Sequence, residues 1–147
     1  AGKGESGFNG GPPGDLYVVL HVREHEIFQR RGDDLYCEVP VSFEAAAAGG
    51  EIEIPTIDGY AKLKLAPGTE SGKVFRLKDK GVPNVEGYGR GDLHARVVAE
   101  VPVRLSGKQR KALADFAQLA DGSNYPEGEK FRHKVEVFFE RKKAMGK

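Results

Sequence analysis

Residues 32–43 read Gly-Asp-Asp-Leu-Tyr-Cys-Glu-Val-Pro-Val-Ser-Phe, and this stretch decides the fold class. From Leu35 onward, every second residue is apolar, and the residues between them are mostly polar. Because the side chains of a strand point alternately to its two faces, this period of two predicts a β-strand with one buried face. Pro40 lacks an N–H group, so its part of the strand is expected at a sheet edge or a break.

The same alternation recurs on both sides of this stretch, at residues 15–22, 52–54, 61–65, 74–77 and 93–101. Asp58-Gly59 separates two of these runs and predicts a β-hairpin. Residues 42–48 predict one short helical turn, which Gly49-Gly50 would end. The chain also has 20 glycines among 147 residues, as expected for many turns. The expected fold class is mainly β, with an antiparallel β-sandwich.

The period of the apolar residues changes after residue 104. Ser106 and Gln109 have the spacing of a capping box, and Leu113, Phe116 and Leu119 follow at helical spacing. A lone amphipathic helix needs an apolar surface to cover it, which could be its own sandwich or a second copy of the chain. The second copy is the preferred interpretation, because each contact of a symmetric dimer occurs twice. A further helical or extended segment follows, with apolar Phe131, Val135, Phe138 and Phe139.

Two glycine-rich loops lead into strands in the same way. Gly4 and Gly81 are separated by 77 positions (81 − 4 = 77), and the same separation relates two further pairs, Gly10 with Gly87 and Gly14 with Gly91. Chance among many glycines is one explanation. The other is a duplicated sandwich domain, in which strand 15–22 is the last strand of an incomplete first copy. The unpaired edge of such a strand would have to pair with another chain, fold onto the second copy or stay loose.

The composition does not favour nucleic-acid binding or catalysis. A net charge of +1 lacks the basic excess that phosphate backbones attract. A single cysteine, Cys37, excludes an internal disulfide and a cysteine-only zinc site, and it lies in phase with the buried face. His21 and His25 have the H-x3-H spacing of metal ligands. That spacing brings two ligands together on a helix, whereas His21 falls in a strand pattern, so we do not expect a metal site.

Two other patterns have plain structural interpretations. Residues 87–92 resemble a phosphate loop but lead into a strand instead of a helix. Asp33, Asp34 and Asp92 stand at turn entries, where short acidic side chains bond the local backbone. We find no pairing of a nucleophile with a base, so we do not expect an enzyme. No run of about 20 apolar residues, as a membrane helix needs, occurs in the sequence.

Several motifs in order closely resemble the C-terminal half of the bacterial DnaJ family of J-domain co-chaperones. They are Gly14-Asp15-Leu16-Tyr17-Val18, the stretch 32–43, Ile54-Pro55-Thr56-Ile57-Asp58-Gly59 and Phe75-Arg76-Leu77-Lys78-Asp79-Lys80-Gly81-Val82-Pro83. The resemblance covers nearly all of residues 1–121 and continues more loosely to residue 147. It implies two successive β-sandwich domains and a dimerising C-terminal helix. The expected limits are 1–29 for the end of the first sandwich and a connector, 30–104 for the second sandwich, 105–121 for the dimerisation helix, and 122–147 for a helical extension.

The resemblance also implies function. The family holds unfolded polypeptides and delivers them to a DnaK-type ATP-driven chaperone in the bacterial cytoplasm, as part of the heat-shock and stress response. The sequence contains neither the His-Pro-Asp signature of the J domain nor the Cys-x-x-Cys repeats of the zinc module. We therefore expect a fragment without cofactor or zinc, without a nucleic-acid or membrane partner, and with a homodimeric state.

The residues expected to act fall into two sets. The dimerisation set is Leu113, Phe116, Leu119, Phe131, Val135 and Phe138, and the client-binding set is Leu16, Val18, Leu20 and Val22. The alternative function is a non-catalytic β-sandwich module that binds a small ligand. That module would present aromatic platforms on its loops, yet the sequence has no tryptophan and few loop aromatics.

Overall fold

A computed structural model describes residues 25–87 and 89–146. The predicted strand at 15–22 therefore lies outside the described residues. The chain divides into two units, with the boundary between Pro102 and Val103. We describe each unit by itself.

Within its described residues, the first unit contains a sheet of four strands, β1 (Gln29–Arg31), β2 (Asp34–Ser42), β5 (Val74–Leu77) and β6 (Leu93–Glu100). Their spatial order is β1-β2-β6-β5. Strand β1 covers only residues 34–36 of β2, so among the described strands Pro40 has a neighbour on one side only. This position agrees with the edge expected for a proline.

A two-stranded antiparallel hairpin faces this sheet, formed by β3 (Gly50–Thr56) and β4 (Gly59–Leu65). The predicted hairpin is thus confirmed, with Ile57 and Asp58 between the paired Thr56 and Gly59. The short helix α1 (Phe43–Ala48) connects β2 to the hairpin. The hydroxyl of Ser42 accepts a hydrogen bond from the Ala45 N–H at its start, and Gly49, at φ 82°, ends it.

The core lies between the two sheets. Alternate residues of β2 and β6 point into it and meet apolar residues of the hairpin. The largest fully buried side chains among the described residues are Leu35, Ile54, Leu65, Val82, Leu93 and Val97. Cys37 is buried among them, as its phase in the sequence predicts, and burial raises the pKa of its thiol.

The mainly β class is confirmed, but the expectation of a wholly antiparallel sandwich is wrong for the central pair. Strands β2 and β6 run parallel over eight registered pairs, from Leu35 with Leu93 to Ser42 with Glu100. Alternation of apolar residues indicates which face of a strand is buried, but it contains no information about strand direction. A helix, a hairpin and β5 lie between the two strands, which is the long connection that parallel pairing requires.

The second unit is helical. Helix α2 (Gly107–Leu119) begins at the predicted capping box, where Ser106 Oγ accepts the Gln109 N–H at 3.2 Å and Gln109 Oε1 accepts the Ser106 N–H at 2.8 Å. A 3-10 turn (Gly122–Asn124) leads to α3 (Pro126–Met145). The segment that the sequence left open between helix and strand is therefore a helix. None of the helices within the described part of the chain has the length and apolar character that a membrane span requires.

Candidate functional site

Helix α2 presents its apolar residues to the outside of its unit. Phe116 is 49% exposed and Leu119 is 84% exposed, while Leu113 is half-buried. At about 100° per residue, these three side chains lie within about 120° of the helix circumference. The predicted helix face is therefore present and largely uncovered.

Helix α3 carries a second apolar stripe. Phe131 and Phe138 are 69% and 59% exposed, Met145 is exposed, and Val135 is half-buried. Phe139 packs edge-to-face against Phe138, with ring centroids 5.4 Å apart. All six predicted dimerisation residues thus lie on two helices of one unit.

No residue of α2, of the 3-10 turn or of α3 is buried, as far as the described residues 103–146 go. An isolated helix as short as α2, with 13 residues, is marginal in water, and most helical stability in proteins comes from covering an apolar face. Exposed Phe and Leu side chains at helical spacing are typical of an interaction surface. The unit therefore has the properties of half of an interface.

The outer face of the four-stranded sheet carries a different feature, which the sequence did not predict. The rings of Tyr36 and His94 stack with centroids 4.5 Å apart and an interplanar angle of 11°. The guanidinium of Arg31 lies 5.4 Å from the Tyr36 centroid, and Arg96 donates to Glu38 at 2.7 Å. These cation–π, stacking and ionic contacts order a row of side chains across β1, β2 and β6.

An open groove of ≈ 640 Å³, which we call the outer-face groove, has a floor formed by Tyr36, Glu38, His94 and Arg96. Its walls include Ile27 and Val74, which are 49% and 53% exposed. The groove thus combines two exposed aliphatic side chains with an aromatic and ionic floor. The sequence feature that could have indicated this groove is the identity of the outward-facing residues, since Tyr36 and His94 lie at the polar positions of the alternating pattern in their strands.

A polar cluster anchors one end of the groove floor. Asp34 accepts the Asp92 N–H at 2.8 Å and lies 3.1 Å from His94 Nε2. Asp92, which is buried, accepts the Asp79 N–H at 2.9 Å and pairs with Arg76 at 2.5 Å. The sequence predicted that Asp34 and Asp92 bond the backbone locally. That prediction is wrong, because these bonds join residues 58 and 13 positions apart.

The polar cluster lowers the pKa values of its two carboxylates. The hydrogen bond from the Asp92 N–H, and then that of His94, lowers the pKa of Asp34 below its ordinary value. The hydrogen bond from the Asp79 N–H, followed by that of Arg76, lowers the pKa of Asp92. Both carboxylates are therefore held in the charged form, which is the form that joins β2, β5 and β6.

The other predicted residues have simpler outcomes. The client-binding set Leu16, Val18, Leu20 and Val22 lies outside the described residues, as does His21. His25 Nδ1 accepts the N–H groups of Ile27 and Phe28, both at 3.1 Å. Within residues 25–87 and 89–146, no group of three or more His, Cys, Asp or Glu side chains could hold a metal ion.

Comparison with known proteins identifies the family. The model of the DnaJ C terminal domain matches residues 1–102 of the chain. The chain belongs to the DnaJ C-terminal domain family. A chaperone protein DnaJ of Geobacillus sp. (strain WCH70) is 57% identical over 123 residues, which is 84% of this chain and 32% of that protein.

Further relatives cover more of this chain. The chaperone protein DnaJ of Parageobacillus thermoglucosidasius is 53% identical over 141 residues, 95% of this chain and 37% of the relative. Chaperone protein DnaJ 2 of Aromatoleum aromaticum is 52% identical over 95% of this chain and 38% of the relative. The family resemblance seen in the motifs is thereby confirmed. The chain spans about a third of the length of these curated relatives.

Proposed function

We propose that this chain is the client-holding and dimerising C-terminal region of a DnaJ-type co-chaperone, whose full-length form delivers unfolded proteins to a DnaK-type chaperone in the cytoplasm. The observation that carries the proposal is that residues 103–146 of the helical unit include no buried side chain, in a member of a family whose relatives are named chaperones. The domain limits expected from the sequence form part of this proposal, which assigns no catalytic step to the chain.

Dimerisation is supported by the exposed faces of α2 and α3. A second copy would cover Phe116 and Leu119 on one helix and Phe131 and Phe138 on the other. Burying one such side chain contributes about 1.5–3 kcal/mol, and each burial occurs twice in a symmetric pair. The entropy cost of association is about 4–15 kcal/mol, and the number of apolar side chains available on the two helices supports a dimer over a monomer.

Client holding is supported by the outer-face groove in the second sandwich. Its exposed Ile27 and Val74 and the stacked Tyr36 offer apolar contact to an extended chain. Strand β5 is an edge of the sheet among the described strands, so an unfolded segment could also add to it through backbone hydrogen bonds. Two such surfaces in a dimer would hold one client at two points and raise the affinity through effective concentration.

The test is suppression of the aggregation of a chemically denatured model protein, measured by light scattering at equal chain concentrations. The wild-type chain should suppress aggregation, and Tyr36→Ala with Val74→Ser should reduce suppression severalfold. Tyr60→Ala is the matched control, since Tyr60 is 79% exposed on β4 and lies outside the groove. Equal suppression by wild type and the groove variant would refute the role of the groove. No suppression by the wild type would refute client holding by this chain.

A further inference from the structure

We propose that α3 pairs with α3 of a second copy in an antiparallel arrangement, in one register that places Glu127 opposite Lys142 of the other copy. This inference deepens the proposed function, because it rests on the dimer and names the surfaces and the direction in which they meet. It starts from the order of residues along one face of α3.

One face of α3 has apolar residues in its middle, an acidic residue near its start and a basic residue near its end, followed by Met145. Residues 127, 131, 135, 138, 142 and 145 follow one another at steps of four and three, so they share a single face of the helix. They are Glu127, Phe131, Val135, Phe138, Lys142 and Met145. We call this face the α3 stripe.

The charges of the stripe are complementary only when the partner is reversed. In an antiparallel pair, facing residues have a constant sum of positions. The sum 269 places Phe131 opposite Phe138 of the second copy, and the same sum places Glu127 opposite Lys142. A parallel pair would instead face Glu127 with Glu127 and Lys142 with Lys142, which repel.

The side chains concerned are available for such contacts. Glu127 is exposed, and its contact within the chain is a solvent-exposed pair with Lys130 at 3.3 Å. Within the described residues 103–146, the ion pairs do not include Lys142. The helix dipole acts in the same direction, because the positive N-terminal end of one α3 would lie beside the negative C-terminal end of the other.

Site-directed cross-linking tests the direction and the register. In a Cys37→Ala background, Glu127→Cys and Lys142→Cys chains are prepared separately, one carrying a mass tag, then mixed and oxidised or treated with a short bismaleimide. Positions 127 and 142 are about 22 Å apart along one helix, since each residue rises about 1.5 Å. The antiparallel register therefore predicts cross-linked heterodimers in the mixture and almost no cross-link in either chain alone. A Val135→Cys chain, close to the two-fold axis, should cross-link with itself.

The outcomes separate this inference from the proposed function. Cross-linking of the Glu127→Cys chain with itself would overturn the antiparallel direction. A chain that sediments as a dimer but forms no cross-link at these positions would overturn α3 as the interface and leave the dimer intact. A chain that sediments as a monomer would overturn dimerisation itself.

Charge reversal gives an independent readout of the same register. Lys142→Glu converts two attractive contacts per dimer into repulsive ones, which should raise the dimer dissociation constant about tenfold. Lys143→Glu is the matched control, because it lies in the same last turn and feels the same helix dipole but points about 100° away from Lys142. Equal effects of the two variants would contradict the contact with Glu127.

Discussion

Gly91→Ala is predicted to destabilise the sandwich more than its small size suggests. A Cβ atom at Gly91 would overlap the backbone carbonyl group of Asp33 and lie 2.8 Å from Asp34 Oδ1. The φ of Gly91 lies outside the left-handed region that favours glycine, so the cost comes from the lack of space and not from φ. To relieve the overlap, the loop before β6 must move away from the turn before β2.

The magnitude follows from the bonds that this movement breaks. The Gly91 N–H donates to Val82 O at 3.0 Å, and Gly91 O accepts the Gly81 N–H at 2.8 Å. The adjacent Asp92 N–H donates to Asp34 at 2.8 Å. Each backbone hydrogen bond contributes about 0.5–1.5 kcal/mol and a bond to a charged group about 1.5–3 kcal/mol, so we expect a loss of about 3–5 kcal/mol.

The assay is urea unfolding of the full chain, followed by far-UV circular dichroism. At a typical slope of about 1–3 kcal/mol per molar urea, a loss of that size lowers the midpoint of unfolding by about 1–5 M. Gly107→Ala is the control, since a Cβ there meets nothing within 4 Å, and it should change the free energy of unfolding by less than about 1 kcal/mol. If Gly91→Ala unfolds at the same urea concentration as wild type, the close backbone approach is not a structural constraint.

Three further changes test other parts of the structure. Ile54→Ala, at a fully buried position of the hairpin, should cost about 2–5 kcal/mol in urea unfolding, whereas exposed Val74→Ala should change stability by less than about 0.5 kcal/mol. The stability of the sandwich should decline as the pH falls below 3.8, the ordinary carboxyl pKa, because the folded-state pKa values of Asp34 and Asp92 are lowered. Asp34→Asn should make this decline less steep. An unchanged slope of stability against pH in that variant would contradict the role of the polar cluster. Ser106→Ala removes the capping box of α2 and should cost about 0.5–2 kcal/mol, visible as lower helicity by circular dichroism, while Ser123→Ala leaves that cap intact.

Much of the secondary structure could be predicted because its signals are local. The alternation in residues 35–43 identifies the buried face of β2, and Ser42 with Gly49 sets the limits of α1. The capping box at Ser106 locates the start of α2. In each case the physical cause lies within a few residues of its effect.

The features that escaped prediction depend on residues far apart in the sequence. The parallel pairing of β2 with β6 joins Leu35 to Leu93, and no local pattern encodes strand direction. The polar cluster joins Asp34 to Asp92 and His94 across the same pair. The outer-face groove follows from this pairing, since it brings Tyr36 beside His94. A local interpretation of aspartates at turns therefore could not find the polar cluster.

The sequence could predict which residues form the candidate interface, but not the direction in which two helices would pair. Apolar residues at helical spacing predicted that Phe116 and Phe131 need a partner surface, because such faces are rarely left in water. The expectation that they face a second copy remains a proposal. The direction of pairing needed the full length of α3 as one helix, which places Glu127 and Lys142 at opposite ends of a single stripe.

We propose above all that the helical unit covers its apolar faces with a second copy. Sedimentation velocity of the chain at several concentrations is the direct test of this dimer. We expect the wild type to sediment as a dimer. We also expect Phe116→Asp and Phe131→Asp each to raise the dissociation constant by at least about 100-fold, because each would place unpaired charges in an apolar interface. Val85→Asp, at an exposed position of the first unit, should leave the dimer unchanged. A wild-type chain that stays monomeric into the high micromolar range, with both phenylalanine variants sedimenting identically, would contradict the account.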